Sequence, residues 1–264
     1  MTINEQFIMG KKTEQALCED GLFISNSFIA VLDGVTPKSD RSFNGLSGGK
    51  AAMEAALKAL ADVPADITGS KLFEAINKAI AELYNGEPTG EAAVCVIIYS
   101  AAHKEIWSLG DCQCIIGNVL HTHEKLIDIE LSEERAEIIK DALKKGYTIE
   151  QLSENDIGRQ AIMPKLQEQH LFANRTDHKY GYAVLNGGTF NTDSIVAYPV
   201  NEGDTVVLAT DGYPKLYASL KESEAYLKHL LTADPLCFNE NKSTKGLQKG
   251  NLSFDDRAYI KFSV

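Results

Sequence analysis

Three stretches of β-strand composition run directly into or out of carboxylates: FIAVLDG at residues 28–34, DTVVLATDG at 204–212 and FDDRAYIKFSV at 254–264. Short apolar runs rich in β-branched residues and bounded by turn signals read as buried strands. Such strands need covering layers, so the chain must stack sheets and helices around them. Each Asp-Gly pair, Asp33-Gly34 and Asp211-Gly212, is in the first place a turn, because glycine tolerates positive φ and aspartate bonds the backbone ahead of it. Acids at three strand ends in one chain suggest more than three turns.

The other elements fit a layered fold. Strand patterns at 22–26 and 28–33 are separated by little more than Ser27. Met53, Ala56, Leu57, Leu60 and Ala61 repeat at helical spacing from Gly48, and Leu72, Phe73, Ile76, Ile80, Leu83 and Tyr84 do so from Ser70. Runs at 92–100, 103–109 and 112–120 with short connections read as an antiparallel meander. From 131 the character changes: Ser132 is expected to cap a charged helix ended by Gly146, with a second helical segment over 148–169. Strand patterns return at 182–187, in SIVAYPV and in DTVVLATD, a helix is expected over 216–231, and RAYIKFSV closes the chain. No repeat or linker divides these elements, which predicts one α+β domain over residues 1–264, with helices segregated onto antiparallel sheets.

Charge excludes some partners. With 37 acidic against 26 basic residues the net charge is -11, so a nucleic-acid backbone or an anionic membrane is repelled overall. The N-terminal residues lack a signal-peptide core, and no apolar run approaches the ~20 residues of a membrane span, so the expectation is a cytoplasmic protein. The cysteines Cys18, Cys95, Cys112, Cys114 and Cys237 are odd in number and scattered, as reduced core thiols would be. Cys112 and Cys114 have no second ligand pair at zinc-finger spacing; His121 and His123 could join them, but an HxH on a strand more often faces solvent, so no metal is expected there.

Strands laid side by side can bring Asp33, Asp211 and Asp255 to one end of the sheets. A cluster of carboxylate and carbonyl oxygens suits Mg²⁺ or Mn²⁺. At this point the sequence resembles the metal-dependent protein phosphatases of type 2C, in their bacterial form. The resemblance runs in order through CEDG (18–21), AVLDG (30–34), GGKAA (48–52), TGEAAVCVII (89–98), SLGDCQCIIG (108–117), ATDG (209–212) and FDDRAYI (254–260). It implies a four-layer α-β-β-α sandwich with two central antiparallel sheets flanked by helices. The match is thinnest around 131–180, which reads as a helical insertion.

Carried over by residue, the resemblance makes Asp33 the carboxylate bridging two metal ions and the Gly34 carbonyl a ligand of one. Asp211 and Asp255 become ligands of the other ion, and Glu19 the acid that holds metal-bound water. Asp20 is similar to an accessory acid, and Asp111 to a ligand of a weaker third ion. Asp33, Asp211 and Glu19 are then the catalytic set. The implied reaction is hydrolysis of a phosphomonoester by a hydroxide bridging two Mn²⁺ or Mg²⁺ ions, and the implied partner is a phosphoserine- or phosphothreonine-bearing protein.

Three positions depart from the family pattern. Gln15 stands where an arginine usually grips phosphate, leaving Lys11 or Lys12 to replace it. Val35 and Thr36 follow Asp33-Gly34 in place of a histidine acid. Lys215 replaces a third-metal aspartate, which predicts two ions with none at Asp111, and Lys215 either paired with Asp111 or phosphate or turned to solvent. A haloacid-dehalogenase reading of LDGV fails because Val31 occupies the nucleophile position. A catalytically weak pseudophosphatase acting as a signalling or binding module is the competing reading.

Overall fold

The computed structural model describes residues 1–38 and 41–264. Its strands are β1 (Thr2–Met9), β2 (Asp20–Ile24), β3 (Phe28–Gly34), β4 (Val94–Ser100), β5 (Glu105–Leu109), β6 (Gln113–Ile116), β7 (Val119–His121), β8 (Val196–Pro199), β9 (Thr205–Ala209) and β10 (Arg257–Ser263). They form two five-stranded antiparallel sheets, ordered β2-β3-β4-β5-β8 and β1-β10-β9-β6-β7.

Alternation along the strands explains the layering, because successive side chains leave a sheet on opposite faces. Ile29 and Val31 of β3 and Cys95, Ile97 and Tyr99 of β4 meet Val206 and Leu208 of β9 and Ala258, Ile260 and Phe262 of β10 between the sheets. The alternate residues Phe28, Ala30, Leu32, Val94, Val96 and Ile98 face outward onto helices α1 (Gly48–Asp62) and α2 (Gly69–Ala81). α1 begins where the Ser47 side chain accepts a hydrogen bond from the Lys50 amide, a cap that satisfies one orphan donor of the first turn. The outer face of the second sheet, Val207, Ala209, Ile115 and Tyr259, is covered by Tyr213, Leu216 and Leu220, the last at the start of a C-terminal helix spanning Leu220–Ala233.

Between β7 and β8 the helices α3 (Leu126–Lys144), α4 (Ile149–Glu154) and α5 (Ile157–Glu168) build small cores of their own, one from Ile127, Leu131, Ile162 and Leu166 and another from Ile139, Ala142, Leu152 and Leu236. The C-terminal helix Leu220–Ala233 is α6. Arg135 of α3 ties these parts together. Its guanidinium is fully buried and donates to Asp156 at 3.0 and 2.6 Å, and to the carbonyls of Cys237 (3.1 Å) and Ser243 (2.9 Å), so the charge is paired and its donors are used.

The α+β sandwich expected from the sequence is the observed architecture. Several local expectations differ. β1 was not legible, because Asn4, Glu5 and Gln6 interrupt its apolar residues; it is an edge strand held by pairing with β10. α3 starts at Leu126, so Ser132 lies inside it and donates to the Ile129 carbonyl instead of capping. Gly146, at φ +94°, does follow its end. The expected strand at 182–187 makes only single bridges, Ala173 to Tyr182 and Val94 to Leu185. The helix expected from 216 begins at Leu220. Among the described residues no helix is long and apolar enough to cross a membrane.

Candidate metal centre

Strand parity delivers the acids. Asp33 continues the inner face set by Ile29 and Val31, and Asp20 pairs with it directly across the β2–β3 ladder, so both carboxyls come from one sheet. Asp211 comes from the opposite sheet, just beyond β9, and Asp111 from the turn where the chain crosses from β5 to β6. Asp33, Asp111 and Asp211 each offer a carboxylate oxygen within 4.8 Å of the others. Among the described residues this is the one such grouping of His, Cys, Asp or Glu. Cys112 and Cys114 are buried between the sheets, and His121 packs at a tilt against the Tyr198 ring, 4.2 Å between centres, so they take no part in it.

The convergence leaves negative charge unbalanced at two of the acids. Burial, and then the charges of Asp211 and Asp20, push Asp33 well above the usual carboxylate range. Asp211, at the mouth of the cleft, is pushed to about 7 by desolvation and by Asp111 and Asp255. Asp20 is raised by burial first and by Asp255 and Asp256 after that, and its Oδ2 is buried with no hydrogen-bond partner.

The remaining acids are already engaged. Asp255 lies outside the close group: it accepts from Lys11 Nζ at 3.2 Å and pairs with Lys245. Against the effect of burial, Lys245 and Lys11 hold it below the usual carboxylate range. Glu19 accepts from Ser47 (2.6 Å), Thr36 (2.9 Å) and Lys11 (3.3 Å). Asp256 is no surface acid. It is buried, and its two oxygens accept from the amides of Lys11 (2.6 Å) and Glu19 (3.1 Å), fixing both loops beside the site. At Gly34 the backbone is so close to its neighbours that a Cβ would lie 2.4 Å from the Gly49 carbonyl oxygen and 2.5 Å from that of Glu19.

The departures from the family pattern resolve individually. Gln15 braces its own loop, accepting from the Gly10 amide and donating to the Lys12 carbonyl. Of the two lysines, Lys11 enters the site, where burial lowers its pKa but Asp255, Glu19 and Asp256 more than reverse that. Of the two residues that follow Asp33-Gly34 in place of a histidine, Thr36 donates to Glu19 and accepts from Lys11. Lys215 does not pair with Asp111. Its ammonium lies over the rings of Tyr217 (5.2 Å) and Tyr226 (5.5 Å). Asp111 is paired instead with Lys125 at 2.6 Å, and Lys125, Lys245 and Lys38 are site residues that sequence reasoning missed. Lys38 follows Asp33-Gly34 closely but in no pattern that marks it, and nothing near Lys125 or Lys245 marks those two; only the path of the chain over the acids brings them in. All three line a cleft of about 450 Å³ above Asp33, Asp111, Asp211 and Asp255, walled by α3 and the 241–245 segment.

Oxygen donors only, buried and crowded enough to raise three carboxyl pKa values, one of them with an oxygen that has no hydrogen-bond partner, make a set that a hard divalent cation fits. The Mycobacterium tuberculosis serine/threonine phosphatase PstP/Ppp is similar in structure over 100% of this chain and 99% of its own, at 15% identity and TM-score 0.51. The PstP catalytic domain in complex with two manganese ions matches at 15% identity and TM-score 0.49, each chain covered 100%. The PPM Ser-Thr phosphatase MsPP from Mycobacterium smegmatis matches at 14% identity and TM-score 0.48, again with 100% of each chain covered. No family model and no curated protein sequence matches the chain. The fold is that of the PPM serine/threonine phosphatases.

Proposed function

We propose that the chain is a metal-dependent phosphomonoester hydrolase of the PPM type, acting on phosphoserine or phosphothreonine in proteins. The observation that carries this is the meeting of Asp33 and Asp211, from opposite sheets, with Asp111 inside 4.8 Å in that fold. Asp33, the Gly34 carbonyl, Asp211 and Asp255 would hold two Mn²⁺ or Mg²⁺ ions, as two manganese ions are bound in the PstP complex. When bound, such a pair supplies a water of lowered pKa for in-line attack and neutralises phosphoryl charge.

The chain's own groups do the rest. Glu19, buried and held by Ser47, Thr36 and Lys11, fixes Lys11 and the segment after Gly34 beside the acids, and would meet metal-bound water only from that engaged position. Asp20, paired across the ladder with Asp33, keeps one buried carboxylate oxygen without a hydrogen-bond partner beside the site. For Asp255 to ligate metal, Lys11 or Lys245 must release it, and either ammonium is then free to face a phosphoryl oxygen. Lys38, its pKa lowered to about 7 by burial and by Lys245 and Arg159, lines the same cleft. Helices α3–α5 form an insertion that shapes the cleft for a protein partner.

Hydrolysis of p-nitrophenyl phosphate with and without Mn²⁺ tests the reading. Turnover should require the ion and fall by at least about 10²-fold in Asp211→Asn. A second reading, a binding module without catalysis, draws on the ammonium groups already seated on Asp111 and Asp255. Mn²⁺ binding without any hydrolysis would favour it.

A further inference from the structure

Of the three acids that meet at the site, one already has a cation. Lys125 Nζ lies 2.6 Å from Asp111 Oδ2, and both side chains are largely buried, at 13% and 16% exposure. The same ammonium lies 5.1 Å from the centre of the Tyr182 ring, which gives it a second favourable neighbour. Asp33 and Asp211 have no basic partner among the ion pairs of the described residues. Asp111 is thus singled out from the two acids that sit within 4.8 Å of it. Lys125 also precedes α3 as its N-cap residue, without a side-chain cap bond of its own, so the side chain is spent on Asp111 while the backbone starts the helix.

We infer that Lys125 is a resident cation that withholds Asp111 from divalent metal, setting the number of ions the cleft takes and fastening the start of α3 to the site. The inference rests on the metal-binding reading of Asp33 and Asp211. A buried ion pair of this kind leaves a strongly uncompensated charge when one partner is removed. Taking away the ammonium therefore converts Asp111 from a neutralised group into a bare carboxylate beside two others, which is an oxygen ligand set for one more hard cation.

The test is Mn²⁺ titration by calorimetry, with unbound Mn²⁺ counted by electron paramagnetic resonance, on the full chain and on Lys125→Met, Lys125→Arg and the double variant Asp111→Asn/Lys125→Met. Lys125→Met should bind one more Mn²⁺ than wild type, or bind its weakest ion about 10- to 100-fold more tightly, the range in which groups supporting metal ligands act. Lys125→Arg should keep the wild-type count, and the double variant should return to it, because the gain must run through Asp111. Equal, non-zero counts and affinities in wild type and Lys125→Met would overturn the inference while leaving the proposed function standing. No Mn²⁺ on wild type or any variant would defeat the metal site itself and the inference with it. Should Lys125→Met not fold, a Mn²⁺-soaked wild-type crystal gives the answer: an anomalous peak on Asp111 overturns the inference, and Asp111 still bonded to Lys125 beside metal on Asp33 and Asp211 supports it.

Discussion

A methyl group at Gly34 would strike two backbone carbonyls, those of Gly49 and Glu19, and neither can swing aside as a flexible side chain could. Gly34→Ala should therefore cost about 1–3 kcal/mol, the usual range for overpacking, and should also weaken Mn²⁺ binding, since Asp33 is the preceding residue of the same strand end. Urea denaturation and calorimetry on one preparation check both effects; unchanged stability would mean that the close approach is looser than the structure shows. At this scale the sequence was informative about acids and silent about their partners. Asp33 and Asp211 stood out because each ended a strand-like run, a local pattern. Lys11 was a candidate for phosphate, but that it would pair with Asp255, as Lys245 does, and that Lys125 would pair with Asp111, depends on how the chain folds back over the site, and no local pattern records that. Lys215 illustrates the same limit in reverse: a substitution in a recognisable motif pointed to Asp111, but the side chain turns to Tyr217 and Tyr226.

Helix α6 is pinned to β10 through the Glu224 carboxylate. Arg257 donates to both Glu224 oxygens, at 2.7 and 2.9 Å, and Tyr213 donates to the same carboxylate at 2.7 Å. Burial disfavours the charged carboxylate, but the bonds from Arg257 and Tyr213 more than offset this and hold Glu224 below its ordinary range. A folded-state pKa depressed in this way contributes stability that is present above the unfolded value of 4.5 and lost as pH falls through the folded value. Glu224→Gln should thus destabilise by about 1–2 kcal/mol at neutral pH, and the gap to wild type should close in acid, below the ordinary Glu range. Denaturant midpoints measured across pH would show it; a gap that stays constant into acid would mean that the charge of Glu224 is not what matters. α1 and α2 were legible because burial of one face imposes a helical period on the sequence, and β3 because burial on both faces leaves a short continuous apolar run. β1 and the segment 182–187 were not. The first has Glu5 among the residues of its less exposed side and is held by pairing with β10, and the second has strand-like residues but only isolated bridges.

Across the whole molecule, two sheets bring unbalanced carboxylates together in a chain of net charge -11, and like charges at close range oppose the compact state. In the metal-free protein this repulsion is part of what raises Asp33, and what raises Asp211 to about 7. A cation that binds only the folded chain should reverse the effect through mass action, by about 2.7 kcal/mol at a hundred times its Kd, equivalent to a rise of roughly 5–10 °C in Tm for a chain of this size. Asp211→Asn removes one of the repelling charges together with a metal ligand, so it should melt at or above the metal-free wild type while losing the response to metal. Thermal unfolding of wild type and Asp211→Asn, each with and without Mn²⁺, tests the metal centre most directly. The expected result is a rise of several degrees with Mn²⁺ in wild type and little or none in Asp211→Asn; the same Mn²⁺-induced rise in both proteins would show that the ion binds elsewhere and would contradict the site.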